Sequence, residues 1–152
     1  MTREHYYDDF ATGQTFRSGT YPVTEAEIVA FATRYDPQPQ HLSAEAAAAT
    51  GFGQLVASGW HTGAISMRLF ITSALPPIAG GSKGAGVDKL TWPRPVRPGD
   101  SLHVQLEVVA MRPSRSRPDR GLITLRATTF NQDSEVVMSA EHTVMVPRIP
   151  PT

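Results

Sequence analysis

The chain has 152 residues, 40% of them hydrophobic and 18% charged, and its 14 basic side chains balance 14 acidic ones. This is the size of a single globular domain, expected here to span residues 1–152, and it can bury roughly 70% of the surface its unfolded form exposes. The composition excludes a disordered chain, zero net charge leaves no global pull toward nucleic acid or anionic membrane, and the absence of cysteine excludes disulfides and thiolate chemistry.

The opening MTREHYYDDF carries charges where a secretory signal needs an apolar core. The most apolar helical stretch, 60–75, contains Arg68 and is too short to span a bilayer. A cytoplasmic protein with no membrane or nucleic-acid partner is expected. In chain order, Gln14–Val23 is a possible strand. Thr24-Glu25-Ala26-Glu27 then has capping-box spacing, with Thr24 as N-cap and Glu27 reaching back to its amide. Ile28, Phe31, Ala32 and Tyr35 follow at helical spacing, and Pro37 biases Asp36 out of the helix.

Ser43 is positioned to cap a second, alanine-rich helix that ends at Gly51. A third begins after Ala57-Ser58-Gly59. Its Trp60, Ala64, Met67, Ile71 and Leu75, with Ile65 and Leu69 alongside, predict a wide buried face closed by Pro76-Pro77. Trp60, Trp92 and the methionines are expected in the core. From residue 84 the chain reads as strands: Val87–Trp92, Ser101–Met111, Leu122–Asn131 and Val136–Val146, separated by Gly-, Pro- and Asn-rich turns. The order predicts an α+β fold, an antiparallel sheet of about five strands wrapped around a long central helix.

Two stretches carry candidate chemistry. In Tyr35-Asp36-Pro37-Gln38-Pro39-Gln40-His41 two prolines stiffen a short loop that holds a carboxylate and an imidazole five residues apart. The same residues also suit a helix end followed by a Pro-rich connector with a surface His. In Ala57-Ser58-Gly59-Trp60, a helix N-terminus offers unpaired amides and partial positive charge, and Gly59 permits close approach to the backbone. Ordinary N-capping by Ser58 is the alternative. Residues 68–126 hold ten basic against four acidic side chains, either a solvated face or a surface for a small anion.

Tyr35, Asp36, Pro39 and His41 match in type and spacing the Asp-x-Asn-Pro-x-His motif of the MaoC-like dehydratases. These are the (R)-specific enoyl-CoA hydratase branch of the hotdog-fold superfamily. Phe52-Gly53, Ala57-Ser58-Gly59-Trp60 and the turn Pro95-Val96-Arg97-Pro98-Gly99-Asp100 resemble further family features, and the resemblance covers residues 6–147. Gln38 stands where the family has Asn, and Gln40 where it has an aliphatic residue.

The resemblance implies a single hotdog domain that adds water reversibly across the trans-2 double bond of an enoyl-CoA thioester. It implies Asp36 and His41 as the catalytic pair and the Gly59 amide as the oxyanion donor. No cofactor or metal is implied; Asp36, His41 and His61 as a ligand set has only spacing behind it. Arg112, Arg115, Arg117 and Arg120, with Lys83, Arg94 and Arg97, become candidates for the coenzyme A phosphates. A homodimer, or a higher homo-oligomer, is the expected assembly. A hotdog thioesterase and a non-catalytic acyl-thioester-binding subunit remain the competing readings.

Overall fold

In the computed structural model, which describes residues 2–152, a six-stranded antiparallel sheet curls around one helix. Two short strands, β1 (Thr15–Arg17) and β2 (Tyr21–Pro22), both pair with β4 (Ser101–Pro113). The expected single strand over 14–23 is thus broken in two. The Ser18 hydroxyl accepts from the Val104 amide at 2.7 Å at the break. β5 (Arg120–Phe130) and β6 (Val136–Pro147) continue the sheet, and β3 (Lys83–Thr91) closes it as an edge strand on β6.

Alternation along the strands separates two faces. Leu102, Val104, Leu106 and Val108 of β4 are wholly buried, and Ile123 and Leu125 of β5 and Val146 of β6 lie beside them. On the outer face Glu107, Arg126 and Glu141 stand in register across three strands, and Arg126 reaches both carboxylates at 3.3 Å. Exposed pairs of this kind contribute little stability, but they keep that face wet and set its register.

Four helices lie on the concave face and at its rim: α1 (Glu25–Tyr35), α2 (Pro39–Leu42), α3 (Ala44–Ala48) and α4 (Gly59–Leu69). α1 starts as expected, with the Thr24 hydroxyl accepting from the Glu27 amide at 3.2 Å. The reciprocal half of the capping box is absent, because the Glu27 carboxylate accepts from the Tyr21 hydroxyl at 2.9 Å instead. α3 is capped by Ser43 and stops at Ala48, short of the expected Gly51. α2 was not expected: Pro39 at its first position, with φ already set and no amide to satisfy, turns the proline loop into one helical turn.

The central helix is shorter than 60–75, and of its expected face Ile65, Leu69 and Leu75 are buried while Trp60, Met67 and Ile71 are not. α4 ends at Leu69 and a π-helical turn, Phe70–Ala74, carries the chain on. Its buried face is His61, Thr62, Ile65, Ser66 and Leu69, while Trp60, Met67 and Ile71 are 63%, 41% and 50% exposed. The reason is polar satisfaction against a narrow sheet. Ser66 Oγ bonds Thr129 Oγ1 at 2.7 Å, so small hydroxyl side chains make the close helix–sheet contact that bulky ones would block.

Because Leu106 is wholly buried at the middle of β4, Leu106→Ala should cost about 2–5 kcal/mol in urea-induced unfolding. A loss below about 1 kcal/mol would mean that the curled sheet collapses readily onto the gap.

Candidate active site

The α1 helix ends where Asp36 leaves helical space (φ −154°, ψ 68°), its amide still bonded to the Ala32 carbonyl. Pro37 and Pro39 fix the next turns, and α2 swings His41 inward until it is 6% exposed. The two side chains meet: His41 Nε2 lies 3.4 Å from Asp36 Oδ2.

Each is anchored from behind. His41 Nδ1 lies 2.7 Å from the Val56 carbonyl oxygen; a carbonyl only accepts, so Nδ1 carries the proton. In the neutral ring Nε2 is therefore a free base facing Asp36. The Asp36 carboxylate accepts from Gln38 Nε2 on Oδ1 and from the Ser58 hydroxyl on Oδ2, both at 2.7 Å. The Gln38 amide first, then the Ser58 hydroxyl, hold its pKa below the usual carboxylate value; partial burial opposes them and His41 adds a smaller push the same way. The pair is thus an ionised acid, acceptor only, beside an imidazole nitrogen that can take or give a proton.

Gly59 opens α4 beside this pair, and no hydrogen bond takes its amide among the described residues. The absence of a side chain there serves the protein's own packing. A Cβ on Gly59 would stand 2.7 Å from Trp92 Cε2, so the indole packs on the bare Cα. Trp92 and Trp60 meet edge to face at 5.3 Å, 39% and 63% exposed, which places both outside the core where they were expected. With Phe52, Val56 and Pro93 they wall a cleft of about 420 Å³ into which Asp36, Gln38, Gln40, His41 and Gly59 open.

Of the candidate cations only Arg94 lines this cleft, and it pairs with Glu135 at 2.8 Å. Arg112, Arg115, Arg117 and Arg120 sit at the hairpin between β4 and β5, about 40 Å along β4 from Ser101. There Arg117 and Arg120 flank Asp119. His61 points elsewhere, stacked on Phe31 at 4.8 Å, its Nδ1 buried without a hydrogen-bond partner among the described residues. Burial lowers its pKa, with Glu27 opposing. Ser58 had been read only as a cap; its bond to Asp36 bridges 22 residues, a distance no local pattern reports.

A curled antiparallel sheet around a helix, with an Asp/His pair at the helix mouth, defines a class that the relatives of this chain make specific. Residues 9–130 match the MaoC like domain, so the chain belongs to the MaoC-like dehydratase family. It is 30% identical over 145 residues to a 3-hydroxybutyryl-CoA dehydratase of Methylorubrum extorquens, covering 94% of this chain and 85% of that one.

Among solved structures, a MaoC-like dehydratase from Rhodospirillum rubrum is 50% identical with a TM-score of 0.91, covering 97% of this chain and 99% of the other. The R-hydratase PhaJ1 of Pseudomonas aeruginosa is 30% identical with a TM-score of 0.73, covering 97% and 94%. A double-hotdog protein of Mycobacterium tuberculosis, at 23% identity and a TM-score of 0.75 over 98% of this chain and 46% of its own, shows the fold alone: this is a hotdog.

The lowered pKa of Asp36 has a thermodynamic consequence. Its ionised form stabilises the fold above the ordinary value of 3.8, and that contribution disappears as pH falls through the depressed folded value. The difference in urea midpoint between the wild type and Asp36→Asn should therefore hold constant well above pH 3.8 and shrink as pH is lowered through 3.8 toward the depressed folded value. Parallel curves would show that Gln38 and Ser58 do not favour the charged form.

Proposed function

We propose that the protein is a hydro-lyase that hydrates trans-2-enoyl-CoA reversibly to the (R)-3-hydroxyacyl-CoA, with Asp36 and His41 as its acid–base pair. The observation that carries this is the pair itself. Asp36 Oδ2 and His41 Nε2 stand 3.4 Å apart at the cleft, each with its other polar atom tied back. Two acceptors so placed bind one water through its two hydrogens. The 3-hydroxybutyryl-CoA dehydratase and R-hydratase among the relatives support the reaction class and the hand of the product.

In the forward direction the water held by the pair loses a proton to it as the oxygen bonds C3. The π electrons move toward C2 and the thioester oxygen, and the pair returns one proton to C2. One proton is taken and one given, so both groups finish as they began and no cofactor is required. The Gly59 amide, at the positive end of α4, is the donor for the enolate-like oxygen. The aromatic walls of the cleft place apolar surface beside that charge.

The assembly proposed for this activity is a homodimer. β3 is an edge strand of nine residues whose outer hydrogen-bonding groups are unpaired among the described residues, and Val87 on it is 51% exposed. Met67, Ile71 and Val87 share one apolar groove between α4 and β3. A second copy presenting the same edge would pair β3 with β3 and cover the groove.

A panel of trans-2-enoyl-CoA thioesters, followed by loss of the conjugated absorbance, tests the activity. Wild-type turnover without thiol release is expected, falling by about 10²–10⁴ in Asp36→Asn. Thiol release would mean a thioesterase, and binding without turnover across the panel a non-catalytic subunit. Sedimentation equilibrium tests the assembly. The wild type should run at twice the chain mass and Val87→Asp should shift toward monomer, whereas a monomeric wild type overturns the dimer.

A further inference from the structure

We propose that Gln38 and Gln40 form a side-chain ladder that positions Asp36: Gln40 steadies Gln38, and Gln38 fixes the plane of the carboxylate. The geometry is a chain of donations running back along the loop. Gln40 Nε2 donates to Gln38 Oε1 at 3.3 Å, and Gln38 Nε2 donates to Asp36 Oδ1 at 2.7 Å. Both glutamines line the same cleft as the catalytic pair.

The ladder answers a mechanical problem. The Ser58 hydroxyl and the His41 ring both meet Oδ2, and a carboxylate held by one oxygen still turns about Cβ–Cγ. The Gln38 amide is the side-chain donor on the other oxygen, and two anchors fix the plane. Gln38 is itself exposed, however, and an exposed glutamine loses rotamer entropy when one bond holds it. A second bond at its carbonyl restrains the same torsions and polarises the amide, making Nε2 the stronger donor. An aliphatic residue at 40 has nothing to offer there.

The backbone keeps the spacing. Pro37 and Pro39 alternate with the glutamines and fix φ between them, Gln38 is extended (φ −90°, ψ 149°), and its amide bonds the Asp36 carbonyl at 2.8 Å. Gln40 is half-buried at the start of α2, and its carbonyl accepts from the Val56 amide at 3.0 Å, so its Cα does not drift. The ladder is therefore rooted at the strand of chain that also orients His41 through the Val56 carbonyl. Gln38 and Gln40 are positioning residues; neither is assigned a proton-transfer step.

The kinetic half of this inference rests on the hydratase reading, so its test joins kinetics with a readout that needs no turnover. With crotonyl-CoA, Gln38→Leu should lower kcat about tenfold with KM within about twofold, since the carboxylate is misaimed and substrate binding is intact. Gln40→Leu should lower kcat by a smaller factor, about threefold, and the double variant should match Gln38→Leu because Gln40 acts through Gln38. In a ¹⁵N–¹H spectrum one Gln38 side-chain amide proton should lie downfield, moving upfield in Asp36→Ala and part of the way in Gln40→Leu. Unchanged kcat in Gln38→Leu, multiplicative losses in the double variant, or a Gln38 amide blind to Asp36→Ala would each overturn the ladder. A protein that hydrates no enoyl-CoA but shows the amide shifts keeps the ladder and loses the hydratase reading.

Discussion

The segment Leu55–Ser58, threaded between α2, the 92–100 loop and the mouth of α4, is the constraint on which the site depends. All four residues are buried, and their polar atoms are spent on holding the elements around them. The Val56 amide bonds the Gln40 carbonyl, the Val56 carbonyl takes the His41 ring proton, and the Ala57 amide bonds the Val96 carbonyl. The Ser58 hydroxyl reaches Asp36 and caps α4 through the Trp60 amide. Three of these residues, Val56, Ala57 and Ser58, thus set the tautomer of the histidine, one oxygen of the aspartate, the tie to the 92–100 loop and the start of the helix. Buried backbone groups must find partners, and here the partners are the parts of a site.

That arrangement gives the two members of the pair different electrostatic environments. Asp36 is half-buried and receives two neutral donors, which favour its charged form more than partial burial disfavours it. His41 is more deeply buried and gives its proton outward to a carbonyl, which leaves the inward nitrogen unprotonated in the neutral ring. An acceptor with a fixed charge and a base with a free lone pair, a few ångströms apart in a partly apolar cleft, are what addition of water to a conjugated thioester asks for.

The strands from residue 101 onward were legible because their alternation of Val, Leu and Thr with polar residues is a local signal, and it matches the register the sheet adopts; of β3, only the half from Val87 was. The Asp36–His41 pair was legible for the same reason: five residues and two prolines carry it. What escaped were features whose cause lies elsewhere in the chain. The bond from Ser58 to Asp36 joins an N-cap to a helix end, and the collision of any Gly59 side chain with Trp92 depends on a loop 33 residues later. The face of α4 was legible at Ile65 and Leu69 but not at Trp60 and Met67, because apolar residues lie on both of its sides and periodicity alone does not say which side the sheet takes. The sheet took the side with Thr62 and Ser66, where Thr129 supplies the partner for Ser66.

The misread face links assembly to chemistry. Trp60 opens the exposed row that continues through Met67 to Ile71, and it is also a wall of the cleft, in edge contact with Trp92 over Gly59. A side chain that belongs to both surfaces transmits one to the other. Whatever covers Trp60 also limits how it and its edge-on partner Trp92 move over the helix mouth. In the isolated chain that mouth is walled on one side by indoles more than a third exposed to solvent, an arrangement that excludes water poorly. In the proposed dimer, covering the apolar row would gain its own hydrophobic stabilisation, and the same burial would stiffen the wall beside the proposed Gly59 donor, where a low dielectric strengthens a hydrogen bond to developing charge. Trp60 is the side chain through which the proposed assembly would act on the proposed chemistry.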